Sequence, residues 1–260
     1  MDGQKKNAPL ETVSSKGEPM ALVWEDEFDC EGAPDPAKWG YEEGFVRNRE
    51  LQYYTRDRRE NARIEDGRLV LEARIDNFRH AEGTSLCTSA AITTYGRAAW
   101  TYGRFEIRAK VPRGIGTWPA IWMLGENVHE IGWPRCGEID IMEYVGFQPN
   151  EFFFTLHGPD ANGGHVSSGS CSRTIPEADG EYAVYALEWD EGGFRYFVNG
   201  AQVADFPRET LPFGQWPFDK PHDLLLNLAI GGAWGATKGI DAGIFPSRFE
   251  VDYVRVYQKK

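Results

Sequence analysis

The sequence predicts an all-β fold, an antiparallel sandwich of two sheets, and three observations carry that expectation. Polar and apolar residues alternate with a period of two in several short runs. Turn pairs rich in Gly, Asn and Asp separate those runs. No stretch reads as a long helix, and no internal repeat is present.

The first 20 residues, MDGQKKNAPLETVSSKGEPM, are polar and carry Gly, Pro and Ser, so they read as a flexible tail ahead of a single domain over 21–260. From Leu22 onward the pattern is strand and turn. Residues 68–73 alternate after the turn pair Asp66-Gly67. Residues 104–111 alternate more cleanly between Gly103 and Pro112, placing Phe105, Ile107, Ala109 and Val111 on one face and charges on the other. Residues 185–189 lead through a turn into 194–198, and Asn199-Gly200 marks a two-residue hairpin before 201–206. Another alternating strand, 249–257, lies near the C-terminus.

A chain of 260 residues buries a sizeable core without metal or disulfide staples. Aromatics at 13%, nine Trp among them, and 29 Gly suit many strands joined by tight turns. The formal net charge of −12 argues against nucleic acid and anionic membranes, which call for a positive surface, and it disfavours sulfated polysaccharides. A neutral glycan is compatible. No apolar stretch is long enough to span a bilayer. Cys30, Cys87, Cys136 and Cys171 are scattered without a C-x-x-C pair, which argues against zinc and leaves open either up to two disulfides or free thiols. The first residues lack the apolar core of a signal peptide. That fits an intracellular protein or one whose signal was removed, and the expectation adopted is an extracellular or periplasmic monomer.

The most informative segment is Gly137-Glu138-Ile139-Asp140-Ile141-Met142-Glu143-Tyr144. In a strand Glu138 and Asp140 share one face, and Ile139 and Ile141 the other. Glu143 is out of step, and a bare carboxylate on the core face is costly. One extra residue near Ile141-Met142, forming a β-bulge, returns Glu143 to the face of the other acids. Three acids on one face raise one another's pKa values. Glycoside hydrolysis requires one carboxylate to attack and another to hold a proton.

This stretch resembles the signature of glycoside hydrolase family 16, E-[hydrophobic]-D-[hydrophobic]-[optional residue]-E, with Met142 as the optional residue. The extra residue resembles the laminarinase-type, endo-β-1,3-glucanase branch. Further blocks are similar to the family at 24–29 (WEDEFD), 48–54 (NRELQYY), 102–106, 116–124, 216–218, 227–232 and 252–257. The resemblance implies a β-jelly-roll of two curved sheets with a concave substrate cleft. It implies retaining hydrolysis of internal β-1,3 linkages in a laminarin-like β-glucan, with mixed β-1,3-1,4-glucan as a further substrate. It assigns Glu138 as nucleophile, Glu143 as acid/base and Asp140 as a helper that holds and tunes Glu138. One departure is Ala91, where relatives commonly carry an Arg expected to contact sugar; it bears on the grip in the glycone subsites.

Sugar clefts use aromatic faces, and Trp118, Trp122, Trp133 and Trp234 lie in the matched blocks. Trp24, Trp100 and Trp189 read as core. His157 ends an apolar run, 152–156, that reads as a strand beside the acidic one, and the resemblance places it near the acid/base residue. Asn48 is a candidate for a sugar hydroxyl. His129-Glu130 opens an H-E-x-x-H pattern, but Trp133 stands at its last position, so zinc is set aside. The resemblance also implies a structural calcium at Glu27, Gly67 (through its backbone carbonyl) and Asp252, hard oxygen ligands of the kind calcium takes, and no cofactor for catalysis.

Other classes share these features. A non-catalytic β-glucan-binding protein on the same sandwich is one, but such relatives lose one or more acids and this chain keeps all three. A transglycosylase or an agarase-type relative is another.

Overall fold

The computed structural model describes residues 8–176 and 178–260. In chain order its first strands are β1 (Glu11–Val13), β2 (Pro19–Asp26), β3 (Gly40–Tyr41), β4 (Tyr53–Tyr54), β5 (Ala62–Glu65), β6 (Arg68–His80), β7 (Gly83–Ser89), β8 (Ala91–Thr93), β9 (Gly103–Lys110) and β10 (Thr117–Gly125). There follow β11 (Glu138–Tyr144), β12 (Glu151–Pro159), β13 (His165–Thr174), β14 (Ala183–Asp190), β15 (Gly193–Val198), β16 (Ala201–Pro207), β17 (His222–Ile230) and β18 (Ser247–Lys259). Among the described residues the α-helices are single turns, α1 (Val128–Ile131) and α2 (Gly232–Gly235).

Two sheets result, and the fold is the jelly-roll sandwich expected. One sheet runs β13-β12-β11-β10-β17-β8-β3. The other follows β16-β15-β14-β9-β18-β6-β7-β4, with β2 also on β18 and β5 also on β6. The alternation read in β9 is realised: Phe105, Ile107, Ala109 and Val111 are fully buried between the sheets. The hairpin read at Asn199-Gly200 has φ of 50° and 80°, the paired positive values of a two-residue turn that matches strand twist.

β17 is buried on both faces, and that explains why its sequence, HDLLLNLAI, does not alternate cleanly. Leu224, Leu226, Leu228 and Ile230 enter the main core. On the opposite face Leu225 joins Ala120 and Trp122 in a separate apolar cluster. That second cluster is the floor on which the site is built.

The expected tail over residues 1–20 is corrected where it is described; residues 1–7 lie outside the described residues. β1 pairs with β2, which itself begins at Pro19, ahead of Leu22. The polar residues that suggested flexibility instead serve the buried carboxylate of Glu188 and the half-buried one of Asp190. Ser15 N donates to Glu188 Oε1 at 2.8 Å, and Lys16 Nζ meets Asp190 Oδ2 at 2.7 Å. Cys30, Cys87, Cys136 and Cys171 are free thiols. Burial pushes Cys87 up to about 12 and Cys136 up to about 11, so neither is a ready nucleophile.

Candidate active site

β11 carries the acids between β10 and β12. On the β12 side Asp140 pairs with Thr155 and Glu143 with Phe153, so Ile141 and Met142 together oppose one residue, Phe154. On the β10 side Asp140 pairs with Trp122 and Met142 with Ile121. This is the bulge that the spacing predicts. Ile141 and Met142 both sink fully into the core, and Glu143 comes back to the cleft beside Glu138 and Asp140.

All nine residues proposed from sequence for chemistry and sugar binding line one cleft: Glu138, Asp140, Glu143, Asn48, Trp118, Trp122, Trp133, His157 and Trp234. Glu138 stands opposite Leu124 and Glu143 opposite Ala120 on β10. Their Cα atoms are therefore about 13 Å apart at the usual strand rise, with Asp140 between them. The lining extends from Ser170 on β13 across β12, β11 and β10 to Asn227 on β17. Five neighbouring strands span about 19 Å, so the site is a trench that continues on both sides of the acids.

Each glutamate is held by a different indole. Trp133 Nε1 donates to Glu138 Oε2 at 2.7 Å, and Trp118 Nε1 donates to Glu143 Oε1 at 3.0 Å. Trp234 packs edge-on to Trp118 at 5.5 Å and to Phe153 at 4.8 Å. Trp122 has a different part. Its Nε1 donates to Asn227 Oδ1 at 2.7 Å, and the Arg47 guanidinium lies 4.9 Å over its ring. It forms wall more than open stacking face. His157 pairs with Glu138 in the strand register, as its place in the sequence suggests. Its Nε2 stands 3.1 Å from Asp140 Oδ2 and 3.8 Å from Glu138 Oε1.

Electrostatics follow from this packing. Burial, reinforced by the Asp140 charge, pushes Glu138 up to about 7. Burial pushes Asp140 up to about 8, opposed by its hydrogen bond with Glu138. Burial and the two other acids hold Glu143 well above the usual carboxylate range, although Trp118 pulls the other way. The trio thus retains protons at neutral pH that solvated carboxyls would have lost.

Several lining residues escaped the sequence reading: Arg47, Glu50, Asn227, His165 and Ser167. Glu50 and Asn227 lie inside the blocks quoted above, but nothing in their types announced a network. Asn48 Nδ2 donates to Glu50 Oε1 at 3.2 Å, and Gln52 Nε2 and Tyr54 OH donate to Glu50 Oε2 at 2.7 and 3.2 Å. Asn227 Nδ2 donates to Tyr54 OH at 3.0 Å, which joins this chain to Trp122. Ala91 pairs with Asn227 and is fully buried. Arg47, over the Trp122 ring, is ion-paired with Glu42, whose amide donates to the Ala91 carbonyl at 3.0 Å.

The calcium candidates lie close in register on the other sheet: Val251, next to Asp252, pairs with Leu69, two residues past Gly67, and Asp26, next to Glu27, pairs with Val254. Both carboxylate oxygens of Glu27 accept from Arg255, at 2.7 and 2.9 Å, and Asp252 Oδ2 accepts from Arg108 at 2.7 Å. The carboxylates of Glu27 and Asp252 are thus both ion-paired with guanidinium groups, which compete with a cation for the same oxygens.

The glycosyl hydrolases family 16 model matches residues 50–255. A beta-glucanase of Rhodothermus marinus is 46% identical over 254 residues, covering 94% of this chain and 87% of the relative. A glucan endo-1,3-beta-glucosidase of Cryptopygus antarcticus is 37% identical over 258 residues, with 90% of each chain covered. The X-ray structure of the laminarinase from Rhodothermus marinus matches with a TM-score of 0.84 and 45% identity, over 93% of this chain and 98% of that one. With a match of this extent around a bulged acidic strand, the chain belongs to glycosyl hydrolase family 16, in its laminarinase-type branch.

Proposed function

We propose that this protein is a retaining endo-β-1,3-glucanase that cuts internal linkages of laminarin-like β-glucan and also accepts mixed β-1,3-1,4-glucan. One observation carries the reading: the three carboxyls of β11 sit midway along a Trp-lined trench that continues on both sides of them. An enzyme that trims chain ends would need one side closed. The names of the relatives, beta-glucanase, glucan endo-1,3-beta-glucosidase and laminarinase, agree with it.

In this mechanism Glu138 attacks the anomeric carbon, and Glu143 protonates the leaving oxygen and then deprotonates the incoming water. The raised pKa of Glu143 supports its holding that proton. Asp140, hydrogen-bonded to Glu138, takes up a proton in preference and so leaves Glu138 ionised to attack. Trp118 and Trp234 offer apolar faces to pyranose rings beside Glu143, and Trp133 does so beside Glu138.

Product analysis on laminarin, lichenan, agarose and xyloglucan tests the reading. A ladder of laminari-oligosaccharides with first-formed β-anomers is expected. No cleavage of laminarin, or an inverted first product by NMR, would sink it. An extracellular or periplasmic setting belongs to the same proposal. So does a structural calcium at Glu27, Gly67 and Asp252, with Gly67 contributing its backbone carbonyl, for which a fall in Tm on chelation is the test.

A further inference from the structure

Glu138, Asp140 and His157 each bring one ligand atom within 4.8 Å of the others, and among the described residues no other group of three or more His, Cys, Asp or Glu does so. The distances resemble a coordination shell. Around a tetrahedral zinc ion with bonds of about 2.0–2.1 Å, two ligand atoms stand about 3.3 Å apart. His157 Nε2 is 3.1 Å from Asp140 Oδ2 and 3.8 Å from Glu138 Oε1. Asp140 is only 2% exposed, yet its Oδ2 has no hydrogen-bond partner in spite of the adjacent imidazole. A buried carboxylate oxygen without a donor is costly, and a cation satisfies it. The imidazole is also braced from behind. Its Nδ1 lies 2.9 Å from His165 Nε2 and 3.0 Å from Ser167 Oγ, the outer-shell arrangement that orients ligating histidines.

We propose that Glu138, Asp140 and His157 bind a divalent transition-metal ion of the zinc or copper class, and that the bound ion blocks glucan cleavage. The ion would occupy the lone pairs of Glu138 needed for attack and stand where the sugar must sit, so metal and substrate exclude one another. One imidazole with two carboxylates suits Zn2+ and Cu2+, whereas Ca2+ requires six or more oxygens. The exclusion of glucan rests on the function proposed above; the metal site itself does not.

Calorimetric titration of Zn2+ into the full chain is the test. One ion per chain is expected at this site, displaced by a saturating laminari-oligosaccharide and bound about ten-fold or more weakly by His157→Gln. Co2+ bound to the wild-type chain should show the strong visible absorption of a four-coordinate site, a readout that does not depend on the variant folding. Equal Zn2+ affinity in wild type and folded His157→Gln, or no Co2+ band, overturns the metal site. Zn2+ that stays bound in a protein also carrying the oligosaccharide overturns the inhibition. A wild-type chain that binds Zn2+ here but no oligosaccharide supports the metal site and counts against the glucan reading alone.

Discussion

The indole N–H of Trp133 donates to Glu138 across 2.7 Å, and the ring is 47% exposed at the mouth of the trench. One side chain therefore serves both the carboxylate and the solvent side where sugar enters. The hydrogen bond favours the ionised form of Glu138. Trp133→Phe keeps an aromatic ring and removes the donor. A fall of about ten-fold in kcat/KM on laminarin is expected, the low end for a bond to a charged group because the site is half open. Glu138 should then protonate more readily, so the acidic limb of the pH–rate profile moves to higher pH. An unmoved limb would show that Trp133 only packs.

Glu143→Gln separates the two carboxylate roles. Loss of a proton donor costs on the order of 10²–10⁴-fold on laminarin. An aryl β-glucoside with a good leaving group needs little protonation, so its first step should survive and release a burst of phenol. The basic limb of the profile should vanish with it. Glu138→Gln should abolish both reactions, and a burst in that variant would reverse the assignment.

Deletion of Met142 tests the bulge. The shortened run, E-I-D-I-E, places all three acids on one face by plain alternation, with Tyr144 still directed to the core. Met142 is fully buried, so its loss should cost about 2–5 kcal/mol. The surviving fold should keep measurable laminarin hydrolysis. Insertion of one further residue after Met142 should instead drive Glu143 toward the core and abolish folding or activity.

The same strand shows what was legible in the sequence. Local alternation placed the core face of β9 and exposed the misfit of Glu143, because side-chain direction follows directly from residue parity. The Glu50–Tyr54–Asn227–Trp122 chain was not legible: its members meet only when the segment before β4 crosses the end of β17. Arg47 over Trp122 is a meeting of the same kind. The segment before β2 misled for another reason. Its polar composition matches that of a disordered tail, and its order comes from long-range partners that composition does not show: the pairing of β1 with β2 and the Ser15 contact to buried Glu188.

The raised carboxyl pKa values predict an unusual dependence of stability on pH. Glu138 and Asp140 titrate near 7 and 8 in the folded chain, against about 4.3 and 3.9 when unfolded. Below pH 4 both states are protonated and the groups are neutral to folding. As pH rises toward 8 the unfolded chain sheds these protons first, so folding loses stability across that window. Glu138→Gln removes one such group. It should raise stability at pH 8 by about 1–3 kcal/mol, with the gain fading toward pH 4. Melting curves at several pH values measure it, and a gain larger at pH 4 than at pH 8 contradicts the burial argument.

Glu188 behaves in the opposite sense. It is 2% exposed and ion-paired with Arg104 at 2.8 Å. Burial alone would raise its pKa, but donations from the hydroxyl and amide of Ser15, together with Arg104, hold it below the usual range. A depressed carboxylate stabilises the fold above its unfolded pKa and loses that contribution as pH falls through the folded value. Removing residues 1–16 strips the Ser15 donors from a buried charge and ends the Lys16–Asp190 pair. The cut also takes β1 off β2, and the expected cost is about 2–4 kcal/mol at pH 7, of which the part that depends on pH comes from Glu188. The cost should shrink below about pH 4, where Glu188 is neutral in the unfolded chain. The acids of β11 are untouched by this change, so kcat on laminarin at 25 °C should hold while Tm falls. A truncated chain with unchanged Tm at pH 7 would show that the Ser15–Glu188 contact is incidental.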